Sequence, residues 1–208
     1  MKVRRFARQL GYSALGTLGL VGAALPPALA DDRAQTQKQA PSQAMTSHHH
    51  PGNDPKRYSN ELIETVRDAT ARFRDVSAAE AEGYNLMFGC VTGPDVGAMG
   101  LHYVKMPLVV DGKLDARYPE IVIYEPLPNG RLKMTGADFL VLAADWDAKH
   151  SGPPELMGQL FHLFEAPNRF GLPAFYTLHV WAWKDNPSGS FVNWHPNVSC
   201  DGFDGQDH

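Results

Sequence analysis

The chain has 208 residues, 43% of them hydrophobic and 20% charged, a composition of ordinary folded domains and far from that of disordered chains. Its formal net charge of -4, with no basic stripe in the body of the chain, excludes the surface that nucleic-acid binding needs to neutralise phosphates. No G-x-S-x-G elbow, H-E-x-x-H helix, P-loop or G-x-G-x-x-G turn occurs, so the local marks of serine hydrolases, zincins, nucleotidases and dinucleotide enzymes are missing.

At the N-terminus, Lys2, Arg4, Arg5 and Arg8 precede an apolar stretch rich in small residues that closes on Ala28-Leu29-Ala30. That order predicts a secretory signal peptide over residues 1–30, cleaved after Ala30. The apolar run is shorter than the roughly 20 residues that span a bilayer and is interrupted by Gly11, Gly16 and Gly19, so no membrane span is expected in the mature chain. Arg4-Arg5 raises the twin-arginine route, but Phe6 directly after it fits that pattern poorly, and the general route is preferred. The expected destination is the periplasm or the extracellular space. In such an oxidising compartment the two cysteines, Cys90 and Cys200, are expected to form a disulfide.

Residues 31–57 carry much Gln, Ser and Pro and almost no large apolar side chain, which predicts a disordered linker. Its His48-His49-His50 tract can collect metal loosely, although a polar tether is the simpler account. Residues 58–208 then read as a single α+β domain. A first helix is expected from Ser59 or Asn60, with Leu62, Ile63, Val66, Ala69 and Phe73 at spacings of three and four. Ser77-Ala78-Ala79-Glu80 reads as a capping box opening a second helix that stops at Gly83.

Beyond Gly83 the apolar runs shorten and become aromatic and β-branched. Strands are expected at residues 84–90, 101–106, 120–124, 132–143 and 175–183. Asp111-Gly112 and Asn129-Gly130 suit tight hairpins, and Asn186-Pro187-Ser188-Gly189 a longer turn. Residues 153–171 are ambiguous, since a helix-like apolar spacing is broken by Gly158 and Pro167. The resulting fold class is α+β: an antiparallel β-sheet curled into a small barrel or sandwich, covered by an N-terminal helical hairpin.

Chemistry is concentrated in isolated histidines. Strand alternation puts His179 on one face with Thr177, Trp181 and Trp183, opposite Leu178 and Val180. His102 likewise stands in mid-strand, with Val104 and Met106 on its face. Two strand histidines on neighbouring strands can meet at one metal ion, and a carboxylate completes a familiar donor set. Glu125, at the end of Ile121-Val122-Ile123-Tyr124-Glu125-Pro126, is the best-placed carboxylate, and His162 is the next ligand candidate, with Glu165 close behind. The expected metal set is therefore His102, Glu125, His162 and His179, holding a divalent transition metal: zinc, copper or iron. Met99 and Met106 add a copper variant, but Met106 stands about 13 Å from His102 in a continuous strand. For any one of these histidines taken alone, a hydrogen-bonded core residue is the commoner outcome. His195, between Trp194 and Pro196, reads as packed in a turn, and His150 as a loop residue.

Tyr103, Tyr124, Trp181 and Trp183 are candidates to contact a small-molecule ligand, or else to pack the core. Three functions remain open: an exported metal-binding protein with or without catalysis; a disulfide-stapled binding module presenting an aromatic ligand-binding face; and an envelope interaction protein in which the histidines are merely packed. The segments GAMGLHY, IYEP, LHVWAWKDNPSGSF and WHPNVSC resemble those of an uncharacterised family of exported bacterial proteins, a resemblance that spans about residues 69–203 and implies no particular activity. A comparison with cupins is architectural only, because the H-x-H pair typical of their metal site is replaced by His102-Tyr103-Val104.

Overall fold

The structure, a computed structural model, describes residues 55–93 and 95–205. The signal peptide, most of the expected linker and the His48–His50 tract lie outside the described residues. Helix α1 (Pro55–Thr70) begins ahead of the expected Ser59 or Asn60, with proline at a helix start where its missing N–H has no partner to lose. A 3-10 turn (Ala71–Arg74) leads into α2 (Val76–Ala81). The cap of α2 differs from the expected capping box. Asp75 takes that position, its Oδ1 accepting the Ser77 N–H at 3.1 Å and the Ser77 hydroxyl at 2.9 Å, so Ser77 is already inside the helix.

Then follow β1 (Asn85–Gly93), β2 (Gly97–Val104), the short helix α3 (Met106–Val109), β3 (Ile121–Pro126), β4 (Leu132–Leu142), α4 (Ala143–Asp147), the small ladder β5 (Glu155–Leu156) and β6 (Gln159–Leu160), β7 (His162–Phe164) and β8 (Phe175–Val180). Six strands form one curled antiparallel sheet, a half-barrel, in the order β1-β2-β3-β4-β8-β7. The ambiguous segment at 153–171 is thus strand and loop, not helix. Asn129-Gly130 turns β3 into β4 as expected, whereas Asp111-Gly112 makes no hairpin: the chain leaves β2 through α3, with Pro107 in that helix's first turn.

Alternation gives the sheet two buried faces. Leu101, Tyr103, Val122, Tyr124, Ala137, Phe139, Leu178 and Val180 turn to one side, where Leu62 and Val66 of α1 and Phe73 and Ala79 pack on them. Each fully buried Leu62- or Val66-sized side chain contributes about 1.5–3 kcal/mol. This helix face is further tied down by Arg67 donating to the Ala182 carbonyl (2.8 Å) and Trp183 Nε1 donating to Thr70 Oγ1 (3.0 Å). On the opposite face stand His102, Val104, Ile121, Ile123, Asp138, Leu140, Phe175, Thr177 and His179, roofed by Phe88, Phe164, Phe170 and Leu172.

Two glycines let strands close up around that second face. A Cβ on Gly100, which has φ +101°, would lie 2.5 Å from the Tyr124 carbonyl oxygen, and one on Gly136 would strike the Val180 carbonyl oxygen. Towards the C-terminus Cys200 is bonded to Cys90 of β1, with a Cα–Cα distance of 5.8 Å and a sequence separation of 110. That bridge and an Ala98–His195 backbone pairing fasten the C-terminal segment to β1 and β2. Among the described residues no helix is long and apolar enough to cross a membrane.

Candidate metal centre

Asp138 of β4 and His179 of β8 are direct partners in the antiparallel ladder. Side chains so placed lie about 5 Å apart at Cβ on the same face. His102 comes from β2, two strands away from β4, opposite Ile123 of β3. The curl of the sheet brings it over β3, and its ring meets the His179 ring edge to face with centroids 6.1 Å apart. One potential ligand atom from each of His102, Asp138 and His179 lies within 4.8 Å of the others, the separation of donors that share an ion. All three side chains are buried, with relative exposures of 5%, 6% and 1%.

The protonation of the group follows from its contacts. His102 Nδ1 stands 3.1 Å from the Gly100 carbonyl, which can only accept, so Nδ1 carries the proton and Nε2 the free lone pair. A backbone carbonyl behind one ring nitrogen is the usual support for a metal-bound imidazole. Burial lowers His102 to about 4, with the Gly100 carbonyl opposing, so the ring is neutral at pH 7. His179 is pushed well below its ordinary value by burial, then by the neighbouring His102 and His195. Burial pushes the Asp138 carboxyl up to about 7, against hydrogen bonds from Thr177 Oγ1 (2.5 Å) and the backbone N–H groups of Phe139 and Leu178. These three donors aim the carboxylate and leave part of its lone-pair capacity open.

Two atoms in this region are unpartnered. Among the described residues the only buried side-chain nitrogen or oxygen atoms without a hydrogen bond are His179 Nε2 and Asn193 Oδ1, and both residues line the cavity in which the three donors meet. An orphaned buried polar atom costs about 1–3 kcal/mol, which a cation on His179 Nε2 and a ligand N–H or O–H on Asn193 Oδ1 would offset. The cavity has a volume of about 30 Å³. That holds an ion and little more, since about 10–15 Å³ on this measure admits one water. Its other walls are mainly phenylalanine and aliphatic, together with the buried Met99.

Of the metal ligands expected from the sequence, His102 and His179 are brought together and Glu125 and His162 are not. Glu125 shares the face of Ile123 but lies a full strand repeat beyond it, where Lys184 Nζ donates to both its oxygens at 2.8 and 2.7 Å. His162 sits exposed on the edge strand β7, and Glu165 beyond it is also exposed. Asp138 is the carboxylate that sequence reading passed over. Its signal was the one that singled out His102 and His179: an ionisable residue inside the apolar run of a strand, here Leu132–Leu142, whose other charge, Lys133, sits near the strand's start.

The remaining candidates serve packing. Tyr103 and Tyr124 are buried on the helix face, Tyr124 donating to the Phe73 carbonyl at 2.7 Å. The β8 ladder ends at Val180, where Trp181 N–H turns to the Ser190 carbonyl, so alternation does not continue and Trp183 lies on the helix side rather than beside His179. Trp181 does stack on His179, at 4.5 Å between centroids, but it is buried and donates to the Val192 carbonyl. An open aromatic face built on Trp181 and Trp183 is therefore absent among the described residues. His195 accepts the Asn197 N–H on Nδ1 at 3.0 Å, so its Nε2–H donates to the Asp185 carbonyl at 3.0 Å and no lone pair remains for an ion. His150 stacks on Trp146 in an exposed loop.

No family model, characterised protein or solved structure matches the chain. The functional reading therefore stands on this geometry.

Proposed function

We propose that this is an exported metal-binding protein in which His102, Asp138 and His179 hold one divalent transition ion. The observation that carries the reading is the coincidence of three buried donors with the two unpartnered buried side-chain atoms, all lining one cavity. Two neutral imidazoles and a carboxylate suit zinc or iron(II), and the absence of a free thiolate among the described residues removes the usual strong copper ligand. Three protein donors would leave coordination positions open, and Asn193 Oδ1, an unpartnered acceptor on a residue lining the same cavity, would accept a hydrogen bond from water in one of them. An ion so held would supply Lewis-acid polarisation of an exogenous oxygen ligand.

Export is supported by the expected signal peptide and by the Cys90–Cys200 disulfide, which is compatible with an oxidising compartment. The ion identity is tested by elemental analysis of the mature chain with His48–His50 replaced by serine. The expected result is one zinc or iron per chain, lost in the His102→Ala/His179→Ala variant. Less than a tenth of an equivalent of any transition metal after incubation with each ion would overturn the proposal.

A further inference from the structure

Next to the donor group lies a second, larger cavity of about 190 Å³. It shares Phe88, Ile121, Leu140 and Leu172 with the small cavity that holds the three donors, so the two adjoin through common walls. Every residue lining it is apolar, and its α3 side is formed by Met106, Val109 and Val110. Met106 and Val110 are 44% and 61% exposed, which places the mouth of the cavity at α3. Its size is comparable with the roughly 150 Å³ apolar cavity that admits benzene.

We infer that the paired cavities bind a small amphiphile, a monocarboxylate with a hydrocarbon tail, whose head group ligates the ion on His102, Asp138 and His179 and whose tail fills the cavity beneath α3. This rests on the metal reading above and gives it a ligand class.

Two features select the head group. The small cavity has room for an ion and a compact group only, and the second cavity, across Phe88, Ile121, Leu140 and Leu172, is the adjoining space for anything larger. Among the cavity-lining side chains Asp138 is the single acid, so a divalent ion there leaves one uncompensated positive charge inside an apolar shell. Burying an unpaired charge is costly, and one anionic oxygen donor removes it. The tail is selected by the second cavity, which offers no polar side chain and excludes a sugar, a peptide or a second charge.

The test uses the mature chain with His48–His50 replaced by serine and loaded with cobalt(II), whose visible absorption reports its ligands. Octanoate is expected to shift the cobalt bands and to bind on the order of 1,000-fold more tightly than acetate, because each of its six additional methylenes contributes about fourfold when buried. Octanol, tail without anionic head, is expected to bind weakly and leave the bands unchanged. Val109→Trp, which fills the tail cavity, should abolish the preference for octanoate while cobalt affinity stays the same; Met106→Trp at the mouth is the milder second variant. If cobalt binds but octanoate gives no shift, binds no better than acetate, or binds equally to metal-free protein, this inference falls and the metal reading survives. If cobalt does not bind the wild-type site, both fall.

Discussion

Thr177 and Asp138 lie on adjacent strands, and the Thr177 hydroxyl donates to the Asp138 carboxylate at 2.5 Å inside the sheet. The bond does more than satisfy two buried groups. It restrains the Asp138 side chain on the face it shares with His179, the role an outer hydrogen bond would play behind a ligand of the proposed metal centre. Thr177→Val keeps shape and burial and removes only that donor. Metal affinity is expected to fall about 10–100-fold, whereas Asp138→Asn, which also removes the charge, should fall further. Isothermal titration with zinc compares the two, and equal affinity in wild type and Asp138→Asn would remove Asp138 from the ligand set.

The pH dependence follows from the same carboxyl. Asp138 is raised to about 7 in the folded protein, above its ordinary range, so its protonated form must lose a proton when an ion binds. Metal affinity should therefore rise about tenfold per pH unit up to about pH 7 and level off above it, because His102, at about 4, is already neutral there. The signs for metal-free stability are opposite for the two residues. Raised Asp138, and Glu120 at about 8, contribute stability that is full below the unfolded carboxyl range and lost as pH rises through 7 and 8. Depressed His102 contributes stability present above its unfolded value and lost as pH falls through 4. Metal-free protein is thus expected to melt lower at pH 8.5 than at pH 6.5, and saturating metal to narrow or reverse that order. Calorimetric melts with and without chelator read both.

Glu125 and Lys184 form a mostly buried ion pair, with side-chain exposures of 10% and 19%. Lys184 also donates to the Asn197 carbonyl, so the pair holds the C-terminal segment against β3. Glu125→Gln should leave metal affinity unchanged and lower stability by about 1–3 kcal/mol, read by urea unfolding. A loss of metal with no loss of stability would return Glu125 to the ligand set.

Five of the six strands of the main sheet, the disulfide partners and two of three donors were legible in the sequence, because each rests on local pattern: β-branched runs, an even cysteine count, histidines in apolar strands; the short edge strand β7 was not, since Gly158 and Pro167 break the pattern around it. What was not legible depends on curl and register. His102 and Asp138 are separated by a whole strand, and only the bending of the sheet over Ile121 and Ile123 brings them together. Glu125 looked favourable because it ends an apolar strand, yet Lys184, 59 residues away, already occupies it. Trp183 was misplaced because nothing local announces that the β8 ladder stops at Val180.

Cys90–Cys200 closes a long loop and anchors the segment that carries Asn193 and His195 near the site. Cys90→Ser with Cys200→Ser is expected to cost about 2–5 kcal/mol in unfolding free energy, measured by denaturant titration. Metal affinity of the folded fraction should change less than in any ligand variant, since His102, Asp138 and His179 all belong to the sheet.

The most direct test of the metal centre is a crystal structure of zinc-soaked protein with anomalous diffraction recorded on both sides of the zinc edge. The account expects one strong peak within about 2.0–2.2 Å of His102 Nε2, His179 Nε2 and an Asp138 oxygen. No peak there, or a peak only at the N-terminal histidine tract, would contradict it.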